Sequence, residues 1–365
     1  MKFICLKEDL AKALEVAVKG VDTKPQNAQL AGVLLDVSGG YLTIETNNYK
    51  LGFKTSLPVD DQSAGQTVVD ARKLFSIVKA VTGDSISFEL DEHAELLDVV
   101  SGKIKYALKT IGEAADFPRV KEVDCVTKIN LAGELLSVLI NRTAFACSKD
   151  ETDYLFTGCL IETNDDTITF VGSNKHSLMY NKSLINKSAD IRVIVPAESL
   201  KAVAPFIDGG KTAVIELDDK KAMLIRSGKF IFKLRLIDGN FADWERIIPK
   251  DNTTIIKVVT KDFIAALNRV LLISPYDNKI RIKKSEYGGL TIIAQNAATG
   301  IAEENVDADI SGEVAGDYFN AKKLIDGIKA LDSDTCTIYA KETSYCPVII
   351  RNNDYSCYIL APLRP

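Results

Sequence analysis

Apolar and polar positions along the chain follow two different periods, and the two periods recur in the same order three times. Apolar residues at Leu6, Leu10, Ala13 and Leu14 recur at the three-to-four spacing of one helix face, which predicts an amphipathic helix over residues 6–20. Residues 41–48 alternate with a period of two, which predicts a strand. The same reasoning predicts helices over residues 6–20, 70–84, 131–149, 196–210, 259–274 and 317–332, with strand hairpins between them.

Capping and turn residues support these boundaries. Asp70 and Pro196 are suited to the start of a helix, and Gly83 and Gly209 to its end. Glycine, Asn and Asp separate the alternating runs, as expected of tight turns between antiparallel strands. These residues predict hairpin turns at residues 38–40, 164–166 and 287–289, and around Gly102, Gly228 and residues 352–353.

Two independent sequence anchors show that the chain contains an internal repeat. The run YLTIETNN (41–48) returns as TITFVGSN (167–174) and GLTIIAQN (289–296), at spacings of 126 and 122 residues. The run VVSGKIKYAL (99–108) returns as IRSGKFIFKL (225–234), again 126 residues later, and more loosely as IIRNNDYSCY (349–358). We therefore predict an α+β fold of three similar domains, over residues 1–123, 124–251 and 252–365.

Composition narrows the class of protein. The 365 residues include 46% hydrophobic and 26% charged residues, a balance typical of chains that fold into packed domains. No apolar run approaches the ~20 residues that a membrane span needs, and the N-terminus lacks the long apolar core of a secretion signal. We expect a cytoplasmic protein that does not contact membranes.

Chemical motifs are scarce, and this argues against an enzyme. The seven cysteines include no CxxC pair, so neither a disulfide framework nor a zinc site is indicated. The two histidines lie in different regions, and the common nucleotide-binding and nucleophile motifs are missing. We therefore expect no catalytic site, no metal and no cofactor. An enzyme would have to use acidic pairs, which look like turns, at residues 60–61, 165–166 and 218–219.

Five segments point to one known family: MKF (1–3), VDARKL (69–74), IGEAADFP (111–118), YFN (318–320) and the tail LAPLRP (360–365). With the threefold repeat, they resemble the bacterial DNA polymerase III beta-subunit family, the sliding clamps. The resemblance implies three clamp domains per chain, each with two helices packed on β-sheets, forming half of a closed ring. Two chains would join head to tail, encircle duplex DNA without reading its sequence, and tether DNA polymerase III and other replication and repair proteins. The chain would then be a non-catalytic accessory subunit that confers processivity.

The charge distribution has the sign that a ring around DNA requires. The chain carries a net charge of −5, but the six predicted helical segments together carry +2, which leaves −7 for the rest. The alternative is that amphipathic helices always carry solvated charges. The basic residues expected to face inward are Lys12, Lys19, Arg72, Lys73, Lys79, Arg142, Lys201, Arg269, Lys322 and Lys329.

Specific DNA contacts are implied by the resemblance. Lys24 matches a basic position after the first helix, although it is equally compatible with an ordinary turn, and Arg72 matches a basic residue that opens the second helix. Lys149 lies in a polar loop that matches a DNA-contacting loop of the family. The candidate DNA-binding residues are Lys24, Arg72, Lys73, Lys79, Lys149, Lys201 and Arg269.

The resemblance also implies a pocket that takes short hydrophobic peptides from the DNA polymerase III alpha subunit, clamp-loader subunits and other proteins with a clamp-binding motif. The matching residues are Phe156, Ser173, Lys175, His176, Ser177, Leu178, Ala242, Ile247, Tyr358, Leu360, Ala361, Pro362, Leu363 and Arg364. The family usually has Gly-His-Arg-Leu where this chain has residues 175–178, and it usually ends Met-Pro-Met-Arg-Leu. These departures affect the expected affinity and partner preference.

The expected subunit interface joins the first repeat of one copy to the third repeat of another. A strand from each copy would pair edge to edge, with Lys73, Leu74, Ile77 and residues 103–108 on one side and residues 279–284 on the other. The competing hypothesis is a scaffold of three repeats that binds peptides but never encircles DNA. Such a scaffold would be a monomer without retention on circular DNA.

Overall fold

A computed structural model describes residues 1–122, 124–186, 189–218 and 221–364. The chain forms two compact units, one of Met1–Ser137 with Ser199–Leu236 and the other of Val138–Glu198 with Ile237–Pro365. We refer to them as unit 1 and unit 2. Asp219, a member of one of the acidic pairs, lies outside the described residues.

Six α-helices occur in the described residues, and each buries an apolar stripe. They are α1 (Lys7–Ala17), α2 (Ala71–Ala80), α3 (Gly133–Thr143), α4 (Ala197–Val203), α5 (Thr260–Val270) and α6 (Ala321–Leu331). Short 3-10 helices span Val18–Gly20, Ala28–Ala31, Ala114–Asp116, Ala144–Ala146, Glu151–Thr157, Ala204–Phe206 and Trp244–Ile247. No helix in these ranges has both the length and the apolar character needed to cross a membrane.

The strands of unit 1 are β1 (Lys2–Leu6), β2 (Gly32–Ser38), β3 (Tyr41–Asn47), β4 (Leu51–Pro58), β5 (Asp60–Ser63), β6 (Gly65–Asp70), β7 (Ser85–Asp91), β8 (Leu96–Ser101), β9 (Ile104–Lys109), β10 (Thr127–Ala132), β15 (Thr212–Leu217), β16 (Ala222–Ser227) and β17 (Phe230–Arg235). Those of unit 2 are β11 (Gly158–Asn164), β12 (Thr167–Ser173), β13 (Ser177–Leu184), β14 (Arg192–Pro196), β18 (Thr254–Val259), β19 (Lys279–Lys284), β20 (Leu290–Asn296), β21 (Gly300–Val306), β22 (Ala308–Ser311), β23 (Tyr318–Asn320), β24 (Thr335–Ala340), β25 (Val348–Ile350) and β26 (Ser356–Leu360).

Unit 1 contains two antiparallel sheets. One has five strands in the order β5-β1-β7-β8-β9, and the other has eight in the order β10-β15-β16-β17-β4-β3-β2-β6. The pairing of β17 with β4 sets Phe232 opposite Phe53, with ring centroids 5.7 Å apart. Hairpins from the first and second repeats therefore share one continuous sheet and part of one apolar core.

Unit 2 repeats this design. Its nine-stranded sheet has the order β14-β11-β12-β13-β26-β25-β24-β18-β22, and its four-stranded sheet has the order β21-β20-β19-β23. The pairing of β13 with β26 sets Leu178 opposite Ile359 and joins strands of the second and third repeats. Helices α5 and α6 bury Phe263, Leu267 and Leu324 in the core of the third repeat.

The six predicted helices are present, but several are shorter than predicted. Asp70 caps α2 as expected, because its Oδ1 accepts the backbone N–H of Lys73 at 2.8 Å. Helix α2 nevertheless ends at Ala80, before Gly83. Helix α4 gives way to a 3-10 turn that contains Pro205, which has no N–H to continue the α-helical hydrogen bonds.

Two strand assignments from the sequence were wrong. The acidic pair Asp60 and Asp61 belongs to β5 rather than to a turn, and Asp61 Oδ2 accepts the N–H of Gly40 at 3.0 Å. Strand β19, expected at a sheet edge, lies between β20 and β23. Its backbone hydrogen bonds are therefore used on both sides, and it cannot pair with a strand of another copy.

Candidate functional site

The junction of β13 and β26 in unit 2 holds the end of the chain in place. The Ala361 N–H donates to the carbonyl of His176 at 2.9 Å, and the Leu363 N–H donates to the carbonyl of Tyr318 at 2.7 Å. These bonds continue the antiparallel pairing beyond β26. The tail from Ala361 to Arg364 is thereby fixed beside the turn that precedes β13.

A tight turn between β12 and β13 forms the polar rim beside this tail. Asn174 Oδ1 accepts the N–H groups of His176 at 3.1 Å and Ser177 at 3.0 Å, and Ser173 Oγ donates to the carbonyl of Ser177. Ser173 and Ser177 are buried within the turn, whereas His176 is exposed. Of these three predicted pocket residues, the turn exposes His176 to solvent and uses the two serines for its own hydrogen bonds.

Lys175 is the most unusual residue of this turn. Its φ of 68° lies in the left-handed region, which glycine adopts without strain. The family that the sequence resembles usually has glycine at this position. Its ammonium forms an ion pair with Asp153 and lies 5.7 Å from the centroid of the Phe156 ring. The side chain thus covers one face of Phe156 and brings a positive charge to an apolar surface.

An apolar cluster lies next to this turn. Phe156 meets Phe241 edge to face at 5.4 Å, and Tyr180 packs against Trp244 at 5.0 Å. Ile247, at the end of the 3-10 turn that begins with Trp244, is 47% exposed. Sequence reasoning missed most members of the cluster, although the single tryptophan of the chain was a usable signal. The missed residues include Leu155, Tyr180, Phe241, Trp244 and Ile359.

The predicted pocket residues pack into two different apolar cores. Alternation along β26 sends Ile359 into the cluster with Leu178, and sends Tyr358 and Leu360 into the core of the third repeat. Tyr358 also borders a polar cleft of about 940 Å³, which it shares with His176 and Ser177 of the turn and with Lys323. Burial lowers the pKa of the Lys323 ammonium, which donates to Asn174 Oδ1 at 3.4 Å.

The tail residues line a further cleft of about 860 Å³. Ala361, Pro362 and Arg364 share it with Tyr345 and Pro347. The side chain of Tyr345 is 57% exposed, and Arg364 is exposed. The tail therefore offers apolar and aromatic surface with a cation at its end, which suits an extended peptide.

The candidate DNA-binding residues of unit 1 lie on helices and a loop. Arg72, Lys73 and Lys79 are exposed on α2, opposite its buried face, and Lys24 is exposed in the loop before the 3-10 turn Ala28–Ala31. Lys201 is half-buried on α4. Among the described residues, the three α2 cations have no carboxylate within ion-pair distance, so their charge is available to an anion.

The two candidate DNA-binding residues of unit 2 differ from each other. Lys149 is exposed in the loop after the 3-10 turn Ala144–Ala146. Arg269 on α5 makes a two-pronged pair with Glu304, with Nε 3.0 Å from Oε2. The hydrogen bond from Arg269 to Glu304 raises the pKa of the guanidinium further, and the carboxylate offsets the charge that a phosphate would contact.

Sheet edges decide which strands can pair with a second copy. Strand β9 is the last strand of the five-stranded sheet, and it exposes Lys105 and Tyr106. In the four-stranded sheet the edge position opposite β23 belongs to β21, which exposes Ile301. Strand β21 is therefore a third-repeat edge that can pair with a second copy, whereas the predicted β19 lies inside its sheet.

The five buried cysteines have the properties of packing residues. Burial raises the pKa of Cys5, Cys336 and Cys357 to about 12, so these thiols stay protonated. Within the described ranges, no three His, Cys, Asp or Glu side chains come close enough together to hold a metal ion.

Comparison with known proteins gives matches along almost the whole chain. The models of the DNA polymerase III beta subunit match in succession: the N-terminal domain at residues 1–121, the central domain at 130–243 and the C-terminal domain at 245–364. The beta sliding clamp of Pseudomonas putida is 27% identical over the full length of both chains. That of Bacillus subtilis is 24% identical, also over the full length of both chains.

Solved structures agree with these matches. The DNA polymerase III subunit beta of Pseudomonas aeruginosa covers the whole of both chains with a TM-score of 0.91 at 27% identity. The DNA polymerase sliding clamp of Bacillus subtilis gives a TM-score of 0.94 at 23% identity, covering 100% of this chain and 99% of that one. The predicted α+β fold of three clamp domains is confirmed, while its domain boundaries at residues 123 and 251 stay predictions. The chain belongs to the DNA polymerase III beta-subunit family.

Proposed function

We propose that this chain is a DNA sliding clamp. Two copies close head to tail into a ring around duplex DNA and tether DNA polymerase III and other replication and repair proteins. The observation that carries the proposal is the succession of three beta-subunit domain matches over residues 1–121, 130–243 and 245–364. Processivity then comes from topology, because a closed ring cannot leave DNA without opening.

The chain acts as an accessory subunit in the cytoplasm and has no reaction of its own. Its peptide partners are the polymerase III alpha subunit, clamp-loader subunits and other proteins with a clamp-binding motif. The apolar cluster around Phe156 and Trp244, with the tail Ala361–Arg364 beside it, supports this role because extended peptides bind to apolar surface flanked by polar groups.

Retention on DNA of different topology tests the ring. We expect the protein, loaded onto nicked circular plasmid by the clamp loader of the same cell, to co-elute with the plasmid in gel filtration. Cutting the plasmid once should release it, because the ring slides off free ends. Equal retention on circular and linear DNA would contradict the ring, and a monomer retained on neither would favour the peptide-binding scaffold.

The cations of α2 should set the electrostatic part of DNA binding. Replacing Arg72, Lys73 and Lys79 by Gln should lower affinity for short linear duplex and reduce the slope of log K against log salt by up to about 0.9 for each phosphate that the variant no longer neutralises. Arg269→Gln is the contrasting variant, and its effect should be smaller because Glu304 already neutralises the guanidinium. Salt titrations by fluorescence anisotropy provide the measurement, and an unchanged slope in the triple variant would refute the assignment.

Ile247 should contribute to binding of the polymerase alpha subunit. Its side chain is 47% exposed next to the buried Trp244, so Ile247→Asp adds a charge to the apolar surface with little effect on the core. We expect affinity to fall at least about tenfold, as is usual for a central apolar contact of a peptide site. Ile255→Asp, at a half-exposed position on β18, is the matched control and should leave affinity unchanged in surface plasmon resonance. Equal losses in both variants would count against the site.

A further inference from the structure

Three cations lie in a row on the face of β19 that points away from the core. Their side chains take no part in the pairing of strands, and they belong to none of the candidate sites described above. Lys279, Arg281 and Lys283 alternate with Ile280 and Ile282, which are buried in the core of the third repeat. Alternate residues of a strand lie on one face about 7 Å apart. The three positive charges therefore form a straight, evenly spaced row in a chain whose net charge is −5.

Few carboxylates offset this row. Among the described residues, Lys279 and Arg281 have none within ion-pair distance, and Lys283 has only Glu303, at 4.0 Å. Instead, Lys279 and Arg281 lie over the ring of Tyr318 on β23, at 4.7 and 5.6 Å from its centroid. The Arg281 Nε–H also donates to the carbonyl of Gly316 at 2.8 Å, which fixes the orientation of the guanidinium.

We propose that the β19 row binds an acidic, extended segment of a partner protein. An extended peptide repeats its side chains on one face at the same spacing of about 7 Å, so acidic residues at alternate positions match the three cations in register. Recognition is through side chains, since β19 lies between β20 and β23 and has no unpaired backbone edge.

A nucleic acid fits the row less well. Single strands are held by aromatic rings on which bases stack, but the Tyr318 ring is already in contact with Lys279 and Arg281. A phosphate backbone that follows the row from Lys279 to Lys283 would also meet the carboxylate of Glu303, which repels it. A short peptide with a few carboxylates avoids this repulsion.

The position of the row connects it to the candidate peptide site. Tyr318 of β23 pairs with Leu363 of the tail. Only β23 therefore lies between β19 and the tail Ala361–Arg364, which borders the candidate peptide site. An acidic stretch that flanks a bound hydrophobic motif would reach the row after crossing one strand. The inference goes beyond the clamp proposal and does not depend on it, because it concerns charge on this sheet and not the closing of a ring.

Binding of short labelled probes to the full-length chain at low ionic strength tests the proposal. The probes are a ten-residue fluorescein-labelled peptide in which Glu and Ser alternate, the same peptide with Gln for Glu, and a ten-nucleotide oligothymidylate. The variants are Lys279→Gln with Arg281→Gln, and Lys284→Gln as the matched control. Lys284 is exposed on the same strand, but it points the other way and is paired with Glu313 at 3.0 Å.

We expect the Glu peptide to bind at least about tenfold more tightly than the Gln peptide, and the double variant to remove this preference. Lys284→Gln should retain it. Equal binding of the two peptides to the unmodified protein overturns the proposal, and this result does not depend on whether the variants fold. The proposal is also overturned if Lys284→Gln loses the preference for the Glu peptide as fully as the double variant does. Tighter binding of the oligothymidylate, abolished in the double variant, would assign the row to nucleic acid instead. Retention on circular DNA is measured separately, so failure of one proposal leaves the other standing.

Discussion

Replacing Ile301 by lysine should convert the proposed dimer into monomers and abolish retention on nicked circular DNA. Ile301 is 64% exposed on β21, the edge strand of the four-stranded sheet, and the proposed partner strand β9 exposes Lys105 and Lys109. The variant would add an ammonium to the apolar contact expected at this edge and place it near the two cations of β9. We expect dimerisation to weaken by about 3 kcal/mol or more, roughly a hundredfold in the dissociation constant.

Analytical ultracentrifugation at graded protein concentrations measures this change directly. Tyr287→Lys is the matched control, since Tyr287 is 90% exposed in the turn between β19 and β20, away from the β21 edge. Its dimer should dissociate at the same concentration as the unmodified protein. An Ile301→Lys variant that remains a dimer at nanomolar concentration would show that β21 does not form the interface.

The sequence predicted the helices and the repeat better than the way the strands assemble. The three-to-four spacing of residues such as Leu10 and Leu14 is a local signal, and so is the cap at Asp70. Strand β1 was missed because its five residues run into α1 with no intervening turn. The interior position of β19 depends on pairing with β23, some 35 residues further along the chain, and no local pattern encodes that choice.

At the candidate peptide site, too, local sequence patterns do not encode how the strands pair. Leu178 lies in the apolar cluster, and Ala361 and Pro362 line the tail cleft, because their positions follow from one strand and the tail paired with it. Tyr358 and Leu360 lie in the opposite core, as the period of two along β26 requires once its register is known. Trp244 and Phe241 come from the connection after β17, and only the folded chain brings them beside Phe156.

Gly327→Ala should destabilise the protein strongly, against the trend of helix propensity. Gly327 lies within α6, where alanine is ordinarily more favourable by about 1 kcal/mol. A Cβ at this position would lie 2.1 Å from Cδ1 and 2.2 Å from Cε1 of Tyr358, whose ring is fully buried. Since either α6 or β26 must move, we expect a loss of about 3 kcal/mol, at the upper end of overpacking effects.

The displacement should also reach the peptide site, because Tyr358 pairs with Met179 of β13 in the register that holds Leu178 against Ile359. We therefore expect weaker binding of the polymerase alpha subunit as well as an earlier urea midpoint. Gly209→Ala is the control for the same chemical change, since the nearest atom to its added Cβ would be 3.8 Å away. Unfolding curves followed by circular dichroism should separate the two variants clearly. A Gly327→Ala protein as stable as the control would mean that α6 and β26 adjust to each other at little cost, and that the register at the peptide site does not depend on this contact.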